Sequence, residues 1–109
     1  LLYKVKAAPP RARELAMIIM EATEELKRAM PDLRSPSRLK DVLSHCVELN
    51  RLENAADRVL RAALGELFDE GTDVVHIIKW RGIYEHLETA TDMCEDVANV
   101  LEGVALKHA

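Results

Sequence analysis

An all-α fold, an elongated antiparallel bundle of three helices, is what this chain predicts, and three observations carry the prediction. Apolar residues recur at alternating steps of three and four along nearly the whole sequence, the period of helices packed on neighbours. The composition is 49% hydrophobic and 31% charged with one Phe, four Gly and four Pro, which suits helices and argues against disorder or an all-β fold. The 109 residues leave room for one domain at most.

Pro9-Pro10 opens the first helix, because proline is tolerated in an initial turn. Its stripe is Leu15, Ile18, Ile19, Ala22, Leu26, Ala29 and Met30, and Pro31-Asp32 ends it, so it spans about residues 10–30. Ser35-Pro36 reads as an N-cap followed by proline at the first helical position. The apolar pattern then runs from Leu39 through Val42, Leu43, Cys46, Leu49, Leu52, Ala56, Val59, Leu60, Ala63 and Leu64 to Leu67, predicting a second helix over residues 36–69. Gly71 is expected to end it, and Thr72 or Asp73 to cap a third helix over residues 74–107.

The third helix writes two faces. Ile83, Leu87, Ala90, Cys94, Val97, Leu101 and Val104 form a core stripe, and Trp80 with Tyr84 anchors a helix contact. Glu85, Glu88, Asp92, Glu95, Asn99 and Glu102 follow the same rhythm and, at ~100° per residue, are expected on nearly the opposite side. Connections this short force antiparallel neighbours, and at 1.5 Å per residue the two longer helices would each measure roughly 50 Å. So much apolar surface on three thin rods predicts a further contact, with a missing N-terminal half or with another copy in a homo-oligomer.

A formal charge of −4 supplies no basic field for phosphate backbones, so nucleic-acid binding is not expected. Cys46 and Cys94 sit among apolar neighbours with no CxxC spacing, the pattern of reduced interior thiols. No apolar run reaches the ~18 residues of a membrane-spanning helix, and the chain is expected to be cytoplasmic. His45, His76, His86 and His108 stand apart from one another and form no ligand motif.

Two Glu-x-x-x-Asp elements carry the chemistry: Glu53 with Asp57 on the second helix, Glu88 with Asp92 on the third. A spacing of four puts each pair on one helix face, where like charges repel unless a cation lies between them. Asp96 extends the second row by a turn, and no Lys or Arg occurs between Ile83 and Glu102 to relieve it. Oxygen donors of this kind suit Mg²⁺, Mn²⁺, Ca²⁺ or iron, whereas structural zinc would want Cys and His. The bland alternative is a solvated surface, with Arg51, Arg58 and Arg61 supplying relief across the bundle. No phosphate loop, nucleophile elbow or Glu-x-x-His pair is present, and no carboxylate is singled out for burial with a raised pKa, so the expectation is a protein without catalytic activity.

Glu53-Asn54-Ala55-Ala56-Asp57-Arg58, Leu67-Phe68, Ile78-Lys79-Trp80, Ile83-Tyr84-Glu85, Ala90-Thr91-Asp92 and the run from Cys94 to Glu102 together resemble the C-terminal half of the PhoU-like family, the accessory proteins of Pit-type inorganic phosphate transporters. The resemblance implies a six-helix fold of two three-helix repeats, of which this chain would be one. It further implies a regulator of phosphate uptake that binds a divalent or iron-type metal ion on the bundle surface. By position the ligands would be Glu53, Asp57, Glu88 and Asp92, with Asp96 one turn on. The partner implied is the transporter itself, touched by a protein that does not span the membrane. Gly82 departs from the family pattern, which carries a helix former at that place.

Overall fold

The computed structural model describes residues 9–69 and 73–108. They form three helices, α1 (Pro10–Asp32), α2 (Leu39–Asp69) and α3 (Val74–Lys107), with one 3₁₀ turn, Pro36–Arg38, before α2. No strand occurs among the described residues. Gly71 and Thr72, expected to end one helix and cap the next, lie outside the described residues.

Helix ends follow local chemistry. Pro31 does not break α1, since it falls in the last turn, and the chain leaves the helix through a string of three-residue turns: Leu33 N–H to Met30 O, Arg34 N–H to Pro31 O and Ser35 N–H to Asp32 O. The Ser35 hydroxyl pairs with that of Ser37 at 2.9 Å. At the start of α3 the Asp73 side chain accepts the His76 N–H at 2.8 Å, which satisfies one of the helix's orphan donors.

Three hydrophobic layers prove the up-down-up order, because they ascend α1 and α3 while descending α2. Ala12 and Leu15 meet Leu60, Ala63 and Leu67 with Trp80 and Tyr84. Ala22 meets Leu49, Leu52 and Ala98. Ala29 meets Leu39, Val42 and Cys46 with Leu101 and Ala105. The resulting rod measures 55 × 24 × 16 Å. Leu15, Val42 and Cys46 are its most completely buried large side chains, and each buried Leu or Val is worth about 1.5–3 kcal/mol against exposure. Trp80 and Tyr84 are buried, ring centroids 6.0 Å apart, anchoring the end of the bundle as expected.

The expected core stripe of α3 holds at Ile83, Leu87, Ala90, Cys94 and Leu101, which are buried or half-buried, and fails at Val97 and Val104, whose places the next residues, Ala98 and Ala105, take. The buried or half-buried run is Trp80, Tyr84, Leu87, Thr91, Cys94, Ala98, Leu101 and Ala105, in strict steps of four and three, whereas Val97 and Val104 stay 37% and 38% exposed. Close helix approach favours the small Ala98 and Ala105 at the seam and turns the valines outward. Thr91 fits this seam because its hydroxyl donates to its own helix, to Glu88 O at 2.8 Å. The acidic row therefore flanks the core. Glu88 and Glu95 each lie one turn beyond a seam residue, about 40° round the helix, and both are half-buried.

Candidate functional site

The apolar seams are interrupted by acids at two places. On α1, Glu25 and Asp32 occupy the stripe that Leu15, Ile18, Ala22 and Ala29 define, and are 8% and 7% exposed. His45 of α2 lies between them, Nδ1 paired with Glu25 Oε2 and Nε2 3.3 Å from Asp32 Oδ2. Arg28 donates to Glu25 at 2.7 Å and Arg38 to Asp32 at 3.3 Å. Burial disfavours the Glu25 carboxylate, but the hydrogen bonds from His45 and Arg28 outweigh it and hold its carboxyl below the usual range. Every charge in this α1–α2 seam has a partner.

The α2–α3 seam is built differently. In the run Val42, Cys46, Leu49, Glu53, Ala56, Leu60, Ala63 and Leu67, one acid takes a seam position. Glu53 is half-buried, and desolvation pushes its carboxyl up to about 7, with Asp57 one turn along α2 and Glu95 of α3 adding to the rise. Both neighbours are acids within hydrogen-bonding reach, so Glu53 meets like charge from its own helix and from the facing one. Contrary to expectation, then, one carboxylate of the chain is poised near neutrality. A void of about 10 Å³ abuts Glu53, lined otherwise by Thr91 and by apolar groups such as Ile18, Leu49 and Cys94, and it leaves no room for an organic ligand.

The expected metal residues divide across this geometry. Glu53 and Asp57 come together with Glu95, a residue of the acidic row that the Glu-x-x-x-Asp spacing did not single out. Glu88 sits half-buried on the same edge of α3, seven residues before Glu95, while Asp92 and Asp96 are exposed further round. Among the described residues no three His, Cys, Asp or Glu side chains close into a ready-made metal cage. Glu53, Asp57 and Glu95 form an open cluster.

The row is relieved at one rung that the sequence pattern hid. Arg81 donates to Glu85 at 3.0 Å, an i,i+4 pair reaching in from just outside the Ile83–Glu102 interval. Arg51 instead pairs with Glu48 on its own helix, Nε to Oε1 at 3.0 Å, and gives nothing to α3. Cys46 and Cys94 are free thiols, and burial pushes both up. The buried Cys46 donates to Ala98 O at 3.4 Å. No helix among the described residues is long and apolar enough to cross a membrane.

Over 108 residues, 99% of this chain, the sequence is 31% identical to the UPF0111 protein YkaA of Bacillus subtilis (strain 168). The chain spans about half, 52%, of that protein's length. No protein-family model matches the sequence, and no solved structure matches it.

Proposed function

We infer that this chain is one three-helix repeat of a PhoU-like, non-enzymatic accessory or regulatory protein of phosphate uptake, and that it binds a divalent or iron-type metal ion at the carboxylates between α2 and α3. The observation that carries the metal is the convergence of Glu53, Asp57 and Glu95 with no cation among them, in a bundle whose other seam acids are all paired. A hard cation offsets the mutual repulsion of such oxygens and ties α2 to α3. Glu88, Asp92 and Asp96 lie along the same helix as further oxygen donors for an ion at the surface. The resemblance in the Glu53–Glu102 segment supports the tie to phosphate transport and a Pit-type transporter as the partner, with the protein acting from the cytoplasmic side. The length of YkaA supports a second half alongside this one.

Elemental analysis tests the metal. The purified protein should carry stoichiometric Mn, Fe or another divalent metal, and a Glu53→Ala/Asp57→Ala variant should lose it. A Glu88→Ala/Asp92→Ala variant measures the contribution of the outer row. Equal metal content in all three proteins, or metal in none, contradicts the site. Affinity capture of a detergent-solubilised Pit-type transporter by the immobilised protein tests the partner, and failure of a transporter encoded in the same genome to bind contradicts it. The exposed stripe of Met93, Val97, Val100 and Val104 favours a second reading, a structural interaction module whose acids are only solvated. Its signature is a protein without metal that still self-associates or pairs.

A further inference from the structure

We propose that Glu25, His45 and Asp32 form a proton-operated latch: a His45 ring with hydrogen on both nitrogens clamps the C-terminal end of α1 onto α2, and loss of one hydrogen releases it.

The placement of the ring carries the proposal. Nδ1 meets Glu25 Oε2 and Nε2 lies 3.3 Å from Asp32 Oδ2, so each ring nitrogen is set against a carboxylate oxygen. An ionised carboxylate only accepts hydrogen bonds, and a neutral imidazole has a single N–H to give. The imidazolium alone serves both acceptors at once. Glu25 is one of them: against the opposing effect of burial, the hydrogen bonds from His45 and Arg28 hold its carboxyl below the usual range. Asp32 is the other, and its second oxygen, Oδ1, accepts from Arg38.

The charges around the ring leave this arrangement in place. Glu25, Arg28 and Asp32 come from α1 and Arg38 from the 3₁₀ turn. On α2 itself Asp41 and Glu48 lie a turn to either side of His45, and Glu48 is taken by Arg51. From α3, Glu102 acts on Cys46.

The two arms of the latch differ in strength. Arg28 reinforces Glu25 at 2.7 Å, whereas the contacts of Asp32 with Arg38 and with the ring are both 3.3 Å long. A ring left with one hydrogen keeps it on the Glu25 side, and Asp32 then faces a bare nitrogen lone pair. Asp32 is 7% exposed and ends α1, so water replaces the lost bond only if the helix end lifts. Ala29, between the two acids on α1, packs in one layer with Leu39, Val42 and Cys46, which the latch therefore keeps shut. Histidine side chains exchange this proton between about pH 5 and 8. The latch is closed at the acid end of that interval and released as pH rises.

Native-state hydrogen exchange of the whole chain, corrected for the intrinsic pH dependence of the amides, tests the proposal at about pH 5.5 and about pH 8.5. Residues 26–38 should lose about tenfold in protection at the higher pH relative to residues 12–22, a comparison that cancels any change in global stability. Over the same interval, long-range proton–nitrogen NMR should show the His45 ring passing from two hydrogens to one. Asp32→Asn should abolish the relative loss, because its side-chain amide can donate to the bare Nε2; a contact of merely structural worth would be weakened equally at both pH values. Equal relative protection of the wild type at both pH values overturns the latch, as does a ring whose hydrogen count stays constant or an Asp32→Asn chain with the full wild-type loss. If Asp32→Asn does not fold, the two wild-type readings decide.

Discussion

The α1–α2 and α2–α3 seams are built from the same repeat and both admit acids, yet they treat them oppositely. Glu25 and Asp32 are nine-tenths buried and share His45, with Arg28 and Arg38 closing the outer side. Glu53 is less buried and meets only Asp57 and Glu95. In the first seam each carboxylate has a partner, His45 between them and Arg28 and Arg38 at the solvent side, and the network ties α1 to α2. In the second seam no basic side chain partners Glu53 among the described residues, and its carboxyl is pushed up to about 7. A buried acid is thus no sign of a ligand site by itself; its unpaired state is what distinguishes the two.

The largest effect belongs to the closed seam. His45→Ala removes the shared partner of two buried carboxylates, and unfolding in urea should show a loss of about 3 kcal/mol, the low end for a broken buried pair because both arginines remain. A loss too small to measure would mean that the network is decoration and the contrast between the seams is empty.

In the open seam the sign reverses. The Glu53 carboxyl rises from 4.5 to about 7 on folding, so the folded state holds a proton that the unfolded chain releases earlier. The stabilisation is complete below pH 4.5 and disappears as pH rises through 7. Solvent at the seam screens the effect to the order of 1 kcal/mol, about 4–8 °C in Tm for a domain of this size. Without added metal, Glu53→Gln should therefore melt higher than wild type at pH 8, and the gap should close towards pH 5. A constant gap across that range would show that Glu53 does not titrate near neutrality.

The smallest effect should come from an exposed pair that joins no seam. Arg51→Ala breaks only its contact with Glu48 on the same helix, and its melting temperature should match wild type within error. A substantial drop would show that Arg51 reaches beyond Glu48.

Much of this was legible in the sequence and the rest was not, for reasons that particular residues show. The three helices follow from the seam period, with Pro10 and Asp73 marking starts as expected, whereas Ser35-Pro36 opens a 3₁₀ turn and α2 begins three residues later than expected, at Leu39. Two of the seven positions expected in the α3 stripe were misplaced, because hydropathy prefers Val97 and Val104 whereas interhelical distance selects Ala98 and Ala105. Glu53 could have been found, since it completes the run Cys46, Leu49, Ala56 and Leu60 at the right step. Glu25 and Asp32 likewise share the stripe of Ala22 and Ala29. Their pairing with His45, and that of Glu53 with Glu95, depend on the axial register of one helix on another, which local spacing does not encode.

The central claim is that the α2–α3 carboxylates await a cation while the α1–α2 carboxylates do not. Thermal unfolding at pH 8 with Mn²⁺ titrated into wild type, Glu53→Gln and Glu25→Gln tests it most directly. Binding to the folded state alone should stabilise wild type by about 2.7 kcal/mol at a hundredfold excess over the dissociation constant. Glu25→Gln, although less stable throughout, should gain as much as wild type, and Glu53→Gln should gain nothing. Equal stabilisation of wild type and Glu53→Gln, or none of wild type, would contradict the account.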